Sequence, residues 1–128
     1  MKKIITTKKA PPAAGPYSQA VATGGFVFIS GQIPLTPEGE RVEGGIREQT
    51  VRVMENLRSV LKGAGLTFAD VVRTTVYLDT IADFSVFNDV YAGYFTEEPP
   101  ARACLEASAL PKGSLVEISA IALEPSGE

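Results

Sequence analysis

Arg102 and Glu117 are charged residues set where the surrounding pattern is apolar. Arg102 sits at the start of the run Ala101 to Ala107, and Glu117 is embedded in Leu115-Val116-Glu117-Ile118-Ser119-Ala120-Ile121. A guanidinium inside an apolar strand needs an anion, and its planar fork suits a carboxylate held by two parallel hydrogen bonds. It either binds such a ligand or pairs internally with Glu97, Glu98 or Glu117. A carboxylate in the setting of Glu117 is either paired, or raised in pKa and suited to handling a proton, or turned to solvent on a half-exposed strand. The two-residue strand period puts Cys104 on the face of Arg102 and Ser119 on the face of Glu117.

Other residues offer weaker signals. Tyr17 follows Ala10-Pro11-Pro12-Ala13-Ala14-Gly15-Pro16, a stretch too rich in proline for a helix or a central strand. Tethered there, Tyr17 either presents its hydroxyl to a cleft or packs with a wet tip. Ser30-Gly31 ends an apolar strand, where unpaired backbone N–H groups either bind a ligand oxygen or belong to an ordinary turn. Asn88 interrupts the apolar side of a helix and either caps a buried carbonyl or reaches a ligand. Cys104 is a poor nucleophile on this reading: no histidine exists to deprotonate it, and a thiol in a strand is usually core.

Composition narrows the chemistry further. The chain has 128 residues, 0 His and 1 Cys. That excludes a Ser/His/Asp triad, a Cys/His dyad, an imidazole metal ligand and an internal disulfide. Acid–base work is left to carboxylate, Tyr, Lys, the lone thiol or a bound water. The balance of 12 basic and 15 acidic residues gives a net charge of −3, which argues against a broad nucleic-acid surface. The cluster Lys2, Lys3, Lys8, Lys9 reads as a solubilising segment. Thr6-Thr7-Lys8-Lys9 interrupts the N-terminal pattern before an apolar stretch forms, and no run is long enough for a membrane span. A single cytoplasmic domain over residues 1–128 is therefore expected.

The elements that must position these residues follow from periodicity. Gln19 to Thr23 and Phe26 to Ile29 read as strands joined by Gly24-Gly25, the second one apolar on both faces. Ile46, Thr50, Val53, Leu57, Val60 and Ala64 recur at helical spacing, with Glu48/Arg52 and Glu55/Arg58 on the wet side and a stop at Gly63 and Gly65. Val71 to Leu78 is rich in β-branched residues and reads as a strand. A second helix is expected over 81–95, with Phe84, Phe87, Val90, Tyr91 and Tyr94 on one face, followed by strands Ala101 to Ala107 and Leu115 to Leu123. The order β-β-α-β-α-β-β is an α+β pattern with two helices on one face of a mixed sheet. Two helices leave the other face bare, and another copy of the chain is the economical cover.

Together these residues resemble the RidA/YjgF reactive-intermediate deaminase family over residues 10–123. The resemblance rests on Gly15-Pro16-Tyr17-Ser18-Gln19, Ile29-Ser30-Gly31-Gln32-Ile33-Pro34, Phe84 to Asn88, Pro100-Ala101-Arg102-Ala103-Cys104, and Leu110-Pro111-Lys112-Gly113 to Val116-Glu117-Ile118. It implies a chorismate-mutase-like fold and a homotrimer with clefts at the subunit interfaces. It also implies an activity without metal or cofactor: hydrolysis of 2-imino acids and their enamine tautomers, such as 2-aminoacrylate and 2-iminobutyrate, to 2-oxo acids and ammonia. Pyridoxal-phosphate dehydratases acting on serine or threonine supply such substrates. Carried over by position, Arg102, Glu117 and Tyr17 are catalytic, while Ser30, Gly31, Asn88, Arg102 and Cys104 bind substrate. The family often has a second carboxylate where Ser119 stands. The rival readings are a non-enzymatic trimer that binds small carboxylates as a regulator or holdase, and a translation-inhibiting endoribonuclease.

Overall fold

A computed structural model of the protein describes residues 1–124. Its strands are β1 (Lys3–Ile5), β2 (Ala20–Thr23), β3 (Phe26–Gln32), β4 (Val71–Leu78), β5 (Ala101–Glu106) and β6 (Val116–Leu123), and its helices are α1 (Ile46–Gly63) and α2 (Phe84–Ala92). They form one mixed sheet of order β1-β2-β3-β6-β4-β5, in which β4 and β5 run parallel and every other neighbouring pair is antiparallel. This is the α+β architecture that the patterning predicts, with both helices against one face.

The buried residues of α1 are the ones its periodicity selects, among them Ile46, Thr50, Val53, Leu57 and Val60. They meet Val27 and Ile29 of β3 and Ile118, Ala120 and Ala122 of β6 in a single core that also takes Phe87 and Tyr91 from α2. Arg58 pairs with Glu55 at 2.7 Å, as the spacing suggests. Glu48 does not pair with Arg52. Its Oε1 accepts from the Gly45 N–H at 2.9 Å, capping the helix start, and backbone hydrogen bonds hold its carboxyl below the ordinary value.

Three expectations need correction. β1 has no counterpart in the sequence pattern, because three residues give no readable alternation; its pairing with β2 supplies the order. The second helix ends at Ala92, not at 95, since Gly93 closes it, although Phe95 still packs into the core. The strand from Phe26 does not stop at Ser30. It continues to Gln32 through a bulge: Ile29 pairs with Ala120 and Gln32 with Ile118, so Ser30 and Gly31 together stand opposite Ser119.

The two faces of the sheet differ sharply. Val27 and Ile29 are fully covered, whereas Phe26 and Phe28, on the other face of β3, are 40% and 43% exposed. The expected burial of this strand from both sides is not met within one chain, because both helices lie on the same side. Val72, Leu105 and Leu123 are exposed too. Among the described residues, no helix is long and apolar enough to cross a membrane.

Candidate active site

The β3 bulge builds one part of the site. Gly31 lies against the carboxylate of Glu117: a Cβ there would overlap Oε2 and come within 3.0 Å of Cδ. Only glycine lets Glu117 lie across β3. Glu117 is half-buried, and desolvation raises its carboxyl above the ordinary 4.5. Among the described residues it has no ion-pair partner.

Above this floor opens a cleft of about 480 Å³. One wall is the proline strap, contributing Pro11, Pro12, Ala14 and Tyr17. Ile33 and Leu35 form another, and Pro111 with Lys112 a third. Gln19 fixes the strap: its amide donates to the carbonyls of Thr7, Ala10 and Pro11 at 3.1, 3.4 and 2.8 Å, and its Oε1 accepts from the Thr7 N–H at 2.7 Å. Ser30 serves the same segment, because its hydroxyl donates to the Ser18 carbonyl at 2.6 Å and its N–H to the Gln19 carbonyl at 3.0 Å. Ser30 therefore buttresses Tyr17, and its own N–H is not a spare donor. Lys112 sits at φ 57°, a left-handed conformation uncommon for a side chain of this kind. The loop around it is held by Ser114, whose hydroxyl donates to the Pro111 carbonyl at 2.6 Å.

Arg102, Asn88 and Cys104 are elsewhere. Strand register decides this. Arg102 pairs with Thr74, and Thr74 with Ala120, on the face the helices cover. Tyr77 pairs with Glu117, and Thr75 with Ser119, on the bare face. Arg102 and Glu117 thus project from opposite faces of the sheet, on β5 and β6, with β4 between them. The chain contains two half-sites: Tyr17, Ser30, Gly31 and Glu117 in the cleft, and Asn88, Arg102 and Cys104 beneath α2.

In the second half-site, Arg102 Nη1 donates to Asn88 Oδ1 at 2.8 Å. Its guanidinium lies over the rings of Tyr91, Phe84 and Phe87 at 4.9, 5.5 and 5.8 Å. No carboxylate among the described residues forms an ion pair with it, so the internal salt bridges to Glu97, Glu98 and Glu117 are absent. Asn88 neither caps a backbone carbonyl nor stands free; it holds Arg102. Burial pushes the Cys104 thiol above its ordinary value, with Arg102 opposing, which leaves the sulfur protonated at neutral pH.

Sequence reasoning missed Gln19, Lys112 and the aromatic floor as parts of a site. The 84, 87, 88, 91 spacing was available and places all four residues on one helix face. It reads as core until Arg102 is known to lie against it.

The endoribonuclease L-PSP family model matches residues 7–124. A RutC family protein of Pyrococcus abyssi is 52% identical over 122 residues, covering 94% of this chain and 96% of that protein. The human 2-iminobutanoate/2-iminopropanoate deaminase is 46% identical over 125 residues, 97% of this chain and 91% of that one. The crystal structure of E. coli TdcF with bound serine superposes with a TM-score of 0.91 at 37% identity, covering 96% of this chain and 99% of the other.

Proposed function

Because the chain belongs to the RidA/YjgF family, also described as endoribonuclease L-PSP, we propose that it hydrolyses 2-imino acids and their enamine tautomers to 2-oxo acids and ammonia. One observation carries the reading most of the way. In a protein without histidine, Arg102 is held over an aromatic floor by Asn88 and, among the described residues, has no acidic partner, while the desolvated Glu117 has no basic partner. Those are the two groups that binding and hydrating an imino acid require. The deaminase name of the human relative and the serine bound to TdcF support a small α-nitrogen carboxylate as ligand.

The chemistry needs both half-sites in one place, and a single chain holds them apart. Oligomerisation solves this: the bare face bearing Phe26, Phe28 and Leu123 covers itself against other copies, and Arg102 of one copy meets the cleft of the next. A homotrimer is the assembly proposed. Arg102, its plane held by Asn88 and the ring floor, grips the substrate carboxylate and fixes C2. Glu117, ionised, favours the iminium form and takes a proton from water as the oxygen bonds to C2. The resulting carbinolamine loses ammonia once that proton has reached its nitrogen, with Tyr17 relaying it, and the carboxylate of Glu117, free again, takes the hydroxyl proton as the C=O bond of the 2-oxo acid forms. Ser119 offers no second carboxylate, so Glu117 alone accepts the proton. Imines already hydrolyse in water, and acid–base assistance of about 10²–10⁴ gives a useful enzyme.

The test couples the protein to a pyridoxal-phosphate dehydratase supplied with threonine or serine, with semicarbazide trapping residual imine. Faster 2-oxo acid release and less trapped adduct are expected, and Arg102→Ala should lose both while staying folded. An assembled wild-type protein that leaves both rate and adduct unchanged would overturn the reading in favour of a carboxylate-binding regulator.

A further inference from the structure

The hold on Arg102 has a support of its own. Every contact to the guanidinium named above comes from α2, a helix of nine residues. Ring packing alone leaves such a short helix free to slide or roll by fractions of an ångström, since dispersion and cation–π attraction vary slowly with position. Beside the Asn88–Arg102 bond itself, a second directional bond ties the helix to the sheet and opposes this. The Tyr91 hydroxyl lies 2.7 Å from Thr74 Oγ1, buried between helix and sheet. Thr74 is fully buried on β4, and Tyr91 is 6% exposed.

The location of that bond matters. Thr74 is the register partner of Arg102 across the parallel β4/β5 pair. The ring closest to the guanidinium is therefore tied to the same rung of the sheet from which Arg102 projects. Valine has the shape of threonine and would satisfy an apolar core at this position. A hydroxyl here is useful only with its partner, and a buried polar pair fixes one arrangement where apolar packing tolerates several.

We infer that Thr74 and Tyr91 are positioning residues for Arg102, a pin that sets the plane of the guanidinium for a bidentate carboxylate. This rests on the reading of Arg102 as the carboxylate grip. Arg102 binds substrate and transition state alike through that carboxylate, so loosening the pin raises KM and leaves kcat nearly constant.

Thr74→Val and Tyr91→Phe test this, each made alone and with Arg102→Lys. The readouts are KM and kcat for imine hydrolysis and Kd for 2-oxobutanoate by calorimetry. With Arg102 present, each substitution should raise KM and Kd about tenfold, with kcat within about twofold. With Arg102→Lys, the same substitution should leave Kd unchanged, because an ammonium on a flexible stem has no plane to hold. A lowered Tm with unchanged KM, or an equal loss of affinity in both backgrounds, overturns the pin. Should Thr74→Val not fold, Tyr91→Phe, which keeps the ring, carries the test. A wild-type protein that binds 2-oxobutanoate through Arg102 yet hydrolyses no imine refutes the deaminase while the pin is still judged on Kd. One that does neither overturns both.

Discussion

Glu117 is held in a setting that works against its own ionisation. Burial raises its pKa in the folded protein above the 4.5 of an exposed glutamate. A carboxyl whose folded pKa is raised contributes stability below the unfolded value, and that contribution disappears as pH climbs through the folded one. At neutral pH the ionised side chain is therefore a net burden on the fold. Glu117→Gln should raise Tm at pH 7 and give no advantage below about pH 4.5, while imine hydrolysis falls by about 10²-fold or more. The acid limb of the wild-type rate profile should lie above pH 4.5, set by this carboxylate. Scanning calorimetry and a pH series check both. At this scale the sequence was informative about which residues are unusual and silent about their partners. Arg102 and Glu117 stood out because charge interrupts an apolar run. Whether Arg102 was neutralised by Glu97 or left to the rings of α2 depends on contacts with Phe84, Phe87 and Tyr91 whose geometry no spacing rule contains.

Among elements, α1 does more than cover the sheet. Gln49 and Asn56 lie seven residues apart, on the same side of the helix, and both are fully buried. Gln49 accepts from the Leu115 N–H at 2.9 Å, and the Asn56 amide donates to the carbonyls of Ile33 and Leu35 at 3.2 and 2.9 Å. Two loops flanking the cleft hang from one helix. Asn56→Leu leaves the Leu35 carbonyl without its donor and the Ile33 carbonyl with only the Leu35 N–H, which should cost about 1–3 kcal/mol of stability. It should also lower kcat/KM as the Ile33–Leu35 wall moves; urea unfolding and the coupled imine assay read the two effects. The periodicity that located α1 counts apolar residues, so it passes over buried amides. Val71–Leu78 was legible because eight mostly β-branched and apolar residues leave no other choice. β1 and the bulge were not, because a three-residue strand and one extra residue exist only through pairing with their neighbours.

For the whole molecule, the decisive fact is that Arg102 and Glu117 emerge from opposite faces of one sheet. Their relation depends on strand order and register, which no single segment reveals. If the site forms between copies, Arg102→Ala and Glu117→Gln are each inactive alone and complement each other. Unfolding and refolding them together in equal amounts should return about a quarter of wild-type activity, since each site needs an intact Arg102 from one copy and an intact Glu117 from the next. Activity staying at the level of the separate variants would show that one chain supplies both. The protonated state of Cys104 bears on endurance. Imines, the tautomers of the enamines, are electrophiles that consume exposed thiolates, and the cleft lining offers carboxylate, amide, hydroxyl, ammonium and proline with no sulfur among them. The chain's one thiol lies beside Arg102 in the other half-site, half-buried and kept in its unreactive form. Under the proposed chemistry the thiol meets the substrate as a thiol and not as a thiolate, so working life is set more by the stability of the fold than by the number of substrates met.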